Sequence, residues 1–295
     1  MRLLLVLIPL LAAIALPLAA RADIRQELMQ VINRERQKAG APPLSLSPAL
    51  GQVALWHAGE ITRHGGSLHL PAGTAEAMHE RIQTAGYLAH EWTESVQVSS
   101  QDAETMLRHW RQSDPDAFRK LLDPQFRDLG IGTGRLEGNP LYVFLYAVPQ
   151  AEHFGRETQG LSDIRQVRAA MLAAVNAERK RAGSPPLTAN PKLDQAAQHH
   201  AADMLARSYF AHESPEGHSV RERSKDAGYD WRAIGENIAE GQTSLAEVMK
   251  TWMNSPGHRH NILDRDFKEL GVGLALGKSG GAYKVEWVQT FGTRR

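Results

Sequence analysis

Cysteine is absent from this 295-residue sequence. The chain therefore cannot form disulfides, cannot carry a lipidated cysteine behind a signal segment, and has neither a cysteine nucleophile nor cysteine-ligated zinc. An exported protein without disulfides must be held together by its hydrophobic core alone, which domains of ordinary size can achieve.

The chain also has almost no excess of positive over negative charge. The formal net charge is +1, and the sequence contains no run of five or six like charges. Nothing therefore indicates nucleic acid or an anionic membrane surface as a partner. Hydrophobic residues make up 42% of the chain and charged residues 23%, as in ordinary globular proteins. A length of 295 residues favours two domains over one.

Only one long apolar run occurs, and it lies at the N-terminus. Met1 and Arg2 precede the apolar residues 3–20, and Ala20-Arg21-Ala22 then has the small-x-small form of a cleavage site. This pattern predicts a secretory signal peptide of residues 1–22, an exported protein in the periplasm or outside the cell, and no stable membrane span after cleavage. The alternative is a retained membrane anchor, because the run is about long enough to cross a bilayer.

The rest of the chain predicts an α+β fold. Amphipathic helical patterns occupy most of it and end at glycine and proline. Near the C-terminus, residues 271–276 and 283–291 resemble strands, and the glycines between them predict an antiparallel hairpin. Helices that precede such a hairpin are expected to pack on a small antiparallel sheet.

The sequence also repeats itself. Asn33 and Arg36 recur as Asn176 and Arg179, 143 residues further on (176 − 33), and other turn and core residues recur at shifts of 141 to 143. Such drift is expected from small loop insertions, so we infer a tandem duplication. The predicted domains are residues 23–150 and 162–295, joined by a linker at 151–161.

Three side chains of the second copy are candidates for chemistry: His212, Glu236 and His258. We predict that each lies in a turn-rich segment, where functional groups are often presented. Two imidazoles and a carboxylate could hold a divalent ion or perform acid–base work. A hydrogen-bonded polar cluster that fixes the loops is the structural alternative.

Several residues near these three are expected to serve the fold rather than a ligand. We expect His199 and His200, which are adjacent on a helix, to face solvent or to be satisfied locally. The aromatic side chains that flank the candidate loops are expected to belong to the core rather than to a groove; they are Tyr209, Phe210 and Trp231.

These motifs resemble the bacterial branch of the CAP superfamily, which comprises cysteine-rich secretory proteins, antigen 5 and pathogenesis-related proteins. The resemblance covers roughly residues 165–292 and rests on Asn176-x-x-Arg179, His212-x-Ser214-Pro215-x-Gly217, Gly235-Glu236-Asn237-Ile238-Ala239, Trp252-x-x-Ser255-Pro256-Gly257-His258-Arg259-x-Asn261-Ile262-Leu263, Gly271-Val272-Gly273 and Trp287-x-Gln289.

The resemblance implies an α-β-α sandwich in each of two tandem domains, with a cleft formed by His212, Glu236 and His258. In related proteins the cleft can hold a divalent cation such as zinc, for which His212 and His258 are the candidate ligands here. Asn254 and Ser255 stand where many relatives have a second glutamate, which puts the full acidic set in doubt.

The resemblance also bears on function. It implies a non-enzymatic binding module for a lipid, a divalent cation or an envelope or extracellular protein partner. The alternative is a metal-assisted hydrolase or peptidase that acts on an envelope or extracellular substrate.

The first copy resembles a degenerate version of the second. Glu94 aligns with Glu236, but residues 113–117 contain no histidine where His258 is expected, and His69 falls about one residue from the position of His212. We therefore expect the first domain to keep the fold and to have lost the chemistry of the cleft.

Overall fold

The computed structural model describes residues 23–64 and 74–295. The predicted signal peptide, residues 1–22, and the segment 65–73, which contains His69, lie outside the described residues. The chain divides into two compact units, Met1–Pro149 and Gln150–Arg295. No helix within the described ranges combines the length and the apolarity needed to cross a membrane.

Helices and strands follow one another in the same order in both units. The first unit contains α1 (Ile24–Lys38), β1 (Ser45–Leu46), α2 (Pro48–His64), α3 (Thr74–Thr84), β2 (Ala89–Val98), α4 (Ala103–Ser113), α5 (Pro115–Leu122), β3 (Asp128–Leu136) and β4 (Asn139–Pro149). The second contains α6 (Gln150–Glu157), a 3₁₀ helix (Gln159–Leu161), α7 (Ile164–Arg181), β5 (Thr188–Ala189), α8 (Pro191–Arg207), α9 (Val220–Asp226), β6 (Trp231–Glu240), α10 (Leu245–Asn254), α11 (Pro256–Leu263), β7 (Glu269–Ser279) and β8 (Ala282–Arg294).

Each unit contains one four-stranded sheet. The strand order is β1-β3-β4-β2 in the first and β5-β7-β8-β6 in the second. The short first strand pairs in parallel, and the remaining pairs are antiparallel. The predicted C-terminal hairpin is confirmed as β7 and β8. Identical topology in both units confirms the α+β prediction and the duplication.

Helices cover both faces of each sheet. In the second unit, Trp252 of α10 and Met171 of α7 belong to one buried cluster with Trp287 of β8. Ala201 and Met204 of α8 belong to another, on the opposite face. Because strand side chains alternate between faces, one sheet supports both clusters. The result is the α-β-α sandwich that the resemblance implied.

Glycines let one helix lie directly on each sheet. A Cβ atom built on Gly273 of β7 would lie 2.2 Å from the carbonyl carbon of Ala197 in α8. The matching Gly132 of β3 would place a Cβ atom 2.1 Å from the carbonyl carbon of Ala54 in α2. Real side chains do not approach a backbone this closely, so the spacing of α8 and its buried His200 from the sheet depends on glycine.

A buried arginine fixes the end of α11, the helix that carries His258. Arg179 of α7 is fully buried and donates to the carbonyls of Pro185, Ile262, Asp264 and Phe267 at 2.6, 2.8, 2.8 and 3.3 Å. The bonds to Ile262 and Asp264 satisfy carbonyls at the C-terminus of α11 that have no partner within the helix.

The first unit repeats this anchor. Arg36 of α1 donates to the carbonyls of Pro42, Leu121, Asp123 and Phe126 at 2.7, 2.6, 3.0 and 3.0 Å. The repeated Asn-x-x-Arg motif of the sequence is therefore structural in both copies.

The residues predicted as a linker, 151–161, lie largely in α6 and the 3₁₀ helix. The ring of Phe154 in α6 lies 5.2 Å from that of Tyr283 in β8, centroid to centroid. These residues belong to the second unit, which begins at Gln150.

Candidate functional site

Regular elements supply two of the three candidate side chains. Glu236 lies inside strand β6, directly opposite Thr290 of β8, and His258 lies in the first turn of α11. Only His212 lies in an irregular segment, between α8 and α9. The prediction that all three occupy turn-rich segments was therefore wrong for Glu236 and His258. For α11 the signal was present, since Ser255 is its N-cap and Pro256 occupies a favoured first-turn position.

Glu236 is held from two sides. Its side chain is 3% exposed. Oε1 lies 2.9 Å from Nδ1 of His212, and Oε2 accepts from Nη2 of Arg223 at 2.6 Å. A carboxylate can only accept, so His212 donates through Nδ1 and keeps Nε2 free. The nearby guanidinium compensates the charge of a carboxylate that would otherwise be costly to bury.

Arg223 is a central residue of the site that the sequence reasoning missed. It lies in α9 and is 7% exposed. Besides Glu236, its Nη1 donates to the carbonyl of His212 at 3.1 Å and to that of His218 at 2.6 Å. One side chain thus joins the acidic residue to both ends of the segment that carries His212. No sequence pattern marks it, because its partners lie on other elements.

His200 is the second missed residue. It was expected to face solvent or to be satisfied locally, but it is 1% exposed and lies with its Nε2 4.0 Å from Oε1 of Glu236. Nε2 donates to the carbonyl of Ala211 at 2.9 Å, and Nδ1 has no hydrogen-bond partner within residues 23–64 and 74–295. Burial lowers the pKa of His200, which keeps the ring neutral at pH 7. The sequence could have predicted this burial, because His200 follows the buried Leu193 on α8 by seven residues, which is about two helical turns.

A network of amides positions α11 against β6. Asn237, fully buried, donates through Nδ2 to the carbonyl of His258 and to Oε1 of Gln289, both at 3.1 Å. Asn261 of α11 donates to the carbonyl of Glu236 at 3.0 Å and to Oδ1 of Asn237 at 2.9 Å. Successive side chains of a strand point to opposite faces. Glu236 therefore contacts His212 and Arg223 on one face of β6, and Asn237 contacts α11 on the other.

His258 is half-buried and incompletely satisfied. Its Nδ1 is buried and has no hydrogen-bond partner among the residues that the structure describes. Burial, and then the charge of a protonated His212, lower the pKa of His258. The lowered pKa favours the neutral form of the His258 ring.

The aromatic side chains near the site have mixed environments. Phe210 is 47% exposed, so its assignment to the core was wrong. Tyr209 is partly buried and donates to Oδ2 of Asp203 at 2.5 Å. Phe210 thus presents an apolar surface two residues from His212.

The arrangement does not fit a preformed divalent metal centre. Within residues 23–64 and 74–295, no group of three or more His, Cys, Asp or Glu side chains is placed to hold a metal ion. Catalytic zinc typically has three protein ligands. His212 and His258 provide two imidazoles, while both oxygens of Glu236 are already bonded to His212 and Arg223.

The first unit retains part of this site. His57, 2% exposed and 143 residues before His200, has Nδ1 2.9 Å from Oε2 of Glu94. The strand registers place Ser95 and Phe144 where the second unit has Asn237 and Gln289. The carbonyl of Ile262 binds Arg179, and the carbonyl of Leu121 binds Arg36. His258 lies four residues before Ile262 and Ala117 lies four residues before Leu121, so Ala117 occupies the position of His258.

Comparison with known proteins finds the same duplication. The model of the cysteine-rich secretory protein family, CAP, matches residues 29–146 and again residues 172–291. The uncharacterized protein YkwD of Bacillus subtilis (strain 168) is 37% identical over 141 residues, which cover 48% of this chain and 52% of YkwD. The uncharacterized membrane protein YlbC of the same organism is 32% identical over 104 residues, or 35% of this chain and 30% of YlbC.

The chain thus spans about half of YkwD and less than a third of YlbC. Among solved structures, an extracellular protein with an SCP domain from Bacillus anthracis is 18% identical, with a TM-score of 0.41 over 78% of this chain and 75% of that protein.

Proposed function

The chain belongs to the cysteine-rich secretory protein (CAP) family, and from this premise we propose that it is an exported binding protein whose second domain holds a ligand in the cleft of His212, Glu236 and His258. Export is supported by the signal-like pattern of residues 1–22. The first domain, which has Ala117 in place of His258, serves as a structural unit.

The observation that carries the proposal is the pair of imidazoles beside a fixed carboxylate. Glu236 and Arg223 neutralise each other, so the cleft presents no uncompensated charge from this pair. What remains are Nε2 of His212 and the partly exposed ring of His258. Neutral imidazole nitrogens both accept and donate, and a ligand hydroxyl group can satisfy them.

Phe210, two residues before His212 in the chain, adds an exposed apolar ring. A ligand with a hydroxyl group and an apolar body matches this combination, and a lipid has that chemistry. Ligand pockets in general combine apolar lining with a few well-placed polar groups. A protein partner remains the other ligand class that the family resemblance implied.

A lipid-retention experiment tests this proposal. The full chain is incubated with a total bacterial lipid extract, re-isolated by gel filtration and extracted with solvent, and the retained lipid is measured by mass spectrometry. We expect wild type and Glu94→Gln, a control change in the first domain, to retain lipid, and a His212→Ala/His258→Ala double variant to retain little.

Equal retention by the double variant, or none by wild type, would contradict a lipid in the cleft. A pull-down from an envelope extract, repeated with the same variants, then tests a protein partner. A zinc titration by calorimetry accompanies both, and we expect no binding that depends on His212 and His258, because the third ligand is missing.

One observation favours a second candidate function, a hydrolase. The 2.9 Å contact between His212 Nδ1 and Glu236 resembles the carboxylate–imidazole pair that orients a general base in hydrolytic enzymes. This candidate predicts turnover of an envelope peptide or ester that Glu236→Gln abolishes while the protein stays folded. Turnover unchanged by Glu236→Gln would reject the role of this pair.

A further inference from the structure

A separate cavity lies in the second unit, between α8 and α9 and beneath residues 214–218. Its volume is about 300 Å³, at the lower end of the range for ligand pockets. None of the three cleft residues lines it. The side chains that matter for its chemistry are His199, His200, Asp203, Arg207, Glu216 and Asp226.

The cavity has an excess of acidic groups. Arg223 also borders it, but its Nη2 and Nη1 atoms are bonded to Glu236 and to backbone carbonyls. Arg207 is then the remaining cation, and its two bonds to Glu216, at 2.8 and 2.5 Å, lower the pKa of that carboxyl to about 2. Against this one guanidinium stand three carboxylates: Glu216 and Asp203, which Arg207 contacts at 2.5 and 3.5 Å, and Asp226.

One side chain of the cavity lining, His200, has a hydrogen-bond acceptor that is unpaired in the described part of the chain. His200 is 1% exposed and donates through Nε2 to Ala211, so the neutral ring keeps a lone pair on Nδ1. Nδ1 has no partner within the described protein. A buried acceptor without a partner is costly, and a ligand N–H group supplies what is missing.

The first unit shows what occupies the same place there. A groove between α2 and α3 matches the α8–α9 cavity, because five of its lining residues correspond to lining residues of the cavity at the repeat shifts of 143 and 142. The lining residues of the groove are Gln52, Trp56, Arg81, Thr84 and Ala85. Their counterparts in the cavity are Gln195, His199, Arg223, Asp226 and Ala227. In the first unit, the guanidinium of Arg81 lies over the ring of Trp56, 3.7 Å from its centroid. The chain thus places its own guanidinium in the first groove.

In the second unit, the corresponding cation has left this position. Arg223 reaches to Glu236 instead, His199 replaces the large Trp56 ring, and Asp226 introduces a carboxylate where Thr84 is neutral. At these matched positions the guanidinium is therefore bonded to Glu236 rather than stacked on a ring, and a carboxylate has been added.

We propose that the α8–α9 cavity binds the guanidinium group of a ligand, such as an arginine side chain of a peptide. The three carboxylates attract the positive charge, and the N–H groups of a guanidinium, all of them donors, match Nδ1 of His200 and the carboxylate oxygens. The cavity shares Arg223 and His200 with the surroundings of Glu236 but none of the three cleft residues, and the proposal does not depend on the proposed lipid.

The test uses Nα-acetyl-arginine methylamide as the probe, titrated into the full chain and followed by calorimetry and by backbone amide NMR shifts. We expect saturable binding that weakens as NaCl is raised, since the attraction is partly solvent-exposed. The citrulline analogue has nearly the same shape without the charge, and we expect it to bind at least tenfold more weakly.

Variants locate the binding. Asp226→Asn, an exposed change at the end of α9, should weaken the probe at least fivefold, and His199→Trp, which installs the first unit's residue, should weaken it further. Asp230→Asn, an exposed carboxylate beyond the cavity, should leave binding unchanged, and thermal melts check that each variant is folded. No saturable binding to wild type, equal binding of the citrulline analogue, or unchanged affinity in Asp226→Asn would overturn the proposal.

Discussion

The two domains of this chain share a scaffold and differ in their clefts. Arg36 and Arg179 bind carbonyls of corresponding residues, and Trp110 and Trp252 are both fully buried. In contrast, Gln289 of the second domain is replaced by Phe144, and the position of His258 is occupied by Ala117. The difference separates residues that make the fold from residues that make a site, because the first domain folds the same way without the latter.

The largest expected effect tests the shared scaffold. Arg179→Met removes the donors of four carbonyls, and at about 1 kcal/mol for each unsatisfied group we expect a loss of about 4 kcal/mol in the stability of the second domain. Urea unfolding followed by tryptophan fluorescence measures it. Arg181→Met, an exposed change on the same helix, is the control, and Arg36→Met should have a similar effect on the first domain.

The next effect concerns a contact that only the second domain has. Arg223→Met leaves the buried Glu236 without its cation, and we expect a loss of roughly 2–4 kcal/mol in the free energy of unfolding of that domain. Adding Glu236→Gln should restore part of it, because the neutral amide needs no counter-ion. If the two changes are simply additive in a double-mutant cycle, the ion pair does not stabilise the cleft.

A smaller effect tests the close approach of helix and sheet. Gly273→Ala forces a Cβ atom against the backbone of α8, and we expect a loss of about 1–3 kcal/mol, similar for Gly132→Ala in the first domain. Gly155→Ala, at a helical position with open space around it, should instead stabilise by about 0.5–1 kcal/mol. Thermal unfolding of the three variants compares them.

The last effect is a pH dependence in the second domain, which is small for any single step in pH. Burial and the carboxylate of Glu240 on the adjacent strand raise the pKa of Glu286 to about 8, whereas the first domain has Leu141 at the matching register. Above the pKa that Glu286 has in the unfolded chain, the native state holds a proton on this carboxyl that the unfolded state has lost. The free energy of unfolding should therefore fall as the pH rises towards 8, by no more than about 1.4 kcal/mol per pH unit.

Glu286→Gln should remove this slope. Thermal melts between pH 5 and pH 9 measure it, and an unchanged slope in the variant would show that another group is responsible.

Much of the fold could be predicted from the sequence. The duplicated Asn-x-x-Arg motif and the C-terminal alternation of β8 are local patterns, and local patterns determine helices, turns and hairpins. The site was harder, because its key contacts join distant elements: Arg223 and Glu236 are 13 residues apart, and His200 and Glu236 are 36 apart.

The location of Glu236 was also misjudged for a physical reason. A charged residue beside glycine is typical of a turn, but the guanidinium of Arg223 allows a carboxylate to lie inside a strand. His212, Glu236 and His258 therefore remain predicted site residues, whereas the elements that carry them came from the structure.

Arg223 has one further consequence. It binds Glu236 at the cleft and the carbonyl of His218 beside the α8–α9 cavity, so both regions depend on the same side chain. A ligand that alters the position of this guanidinium from either region changes the free energy of the other. Such linkage is reciprocal: the factor by which a cleft ligand changes affinity for a guanidinium equals the factor by which a guanidinium changes affinity for the cleft ligand.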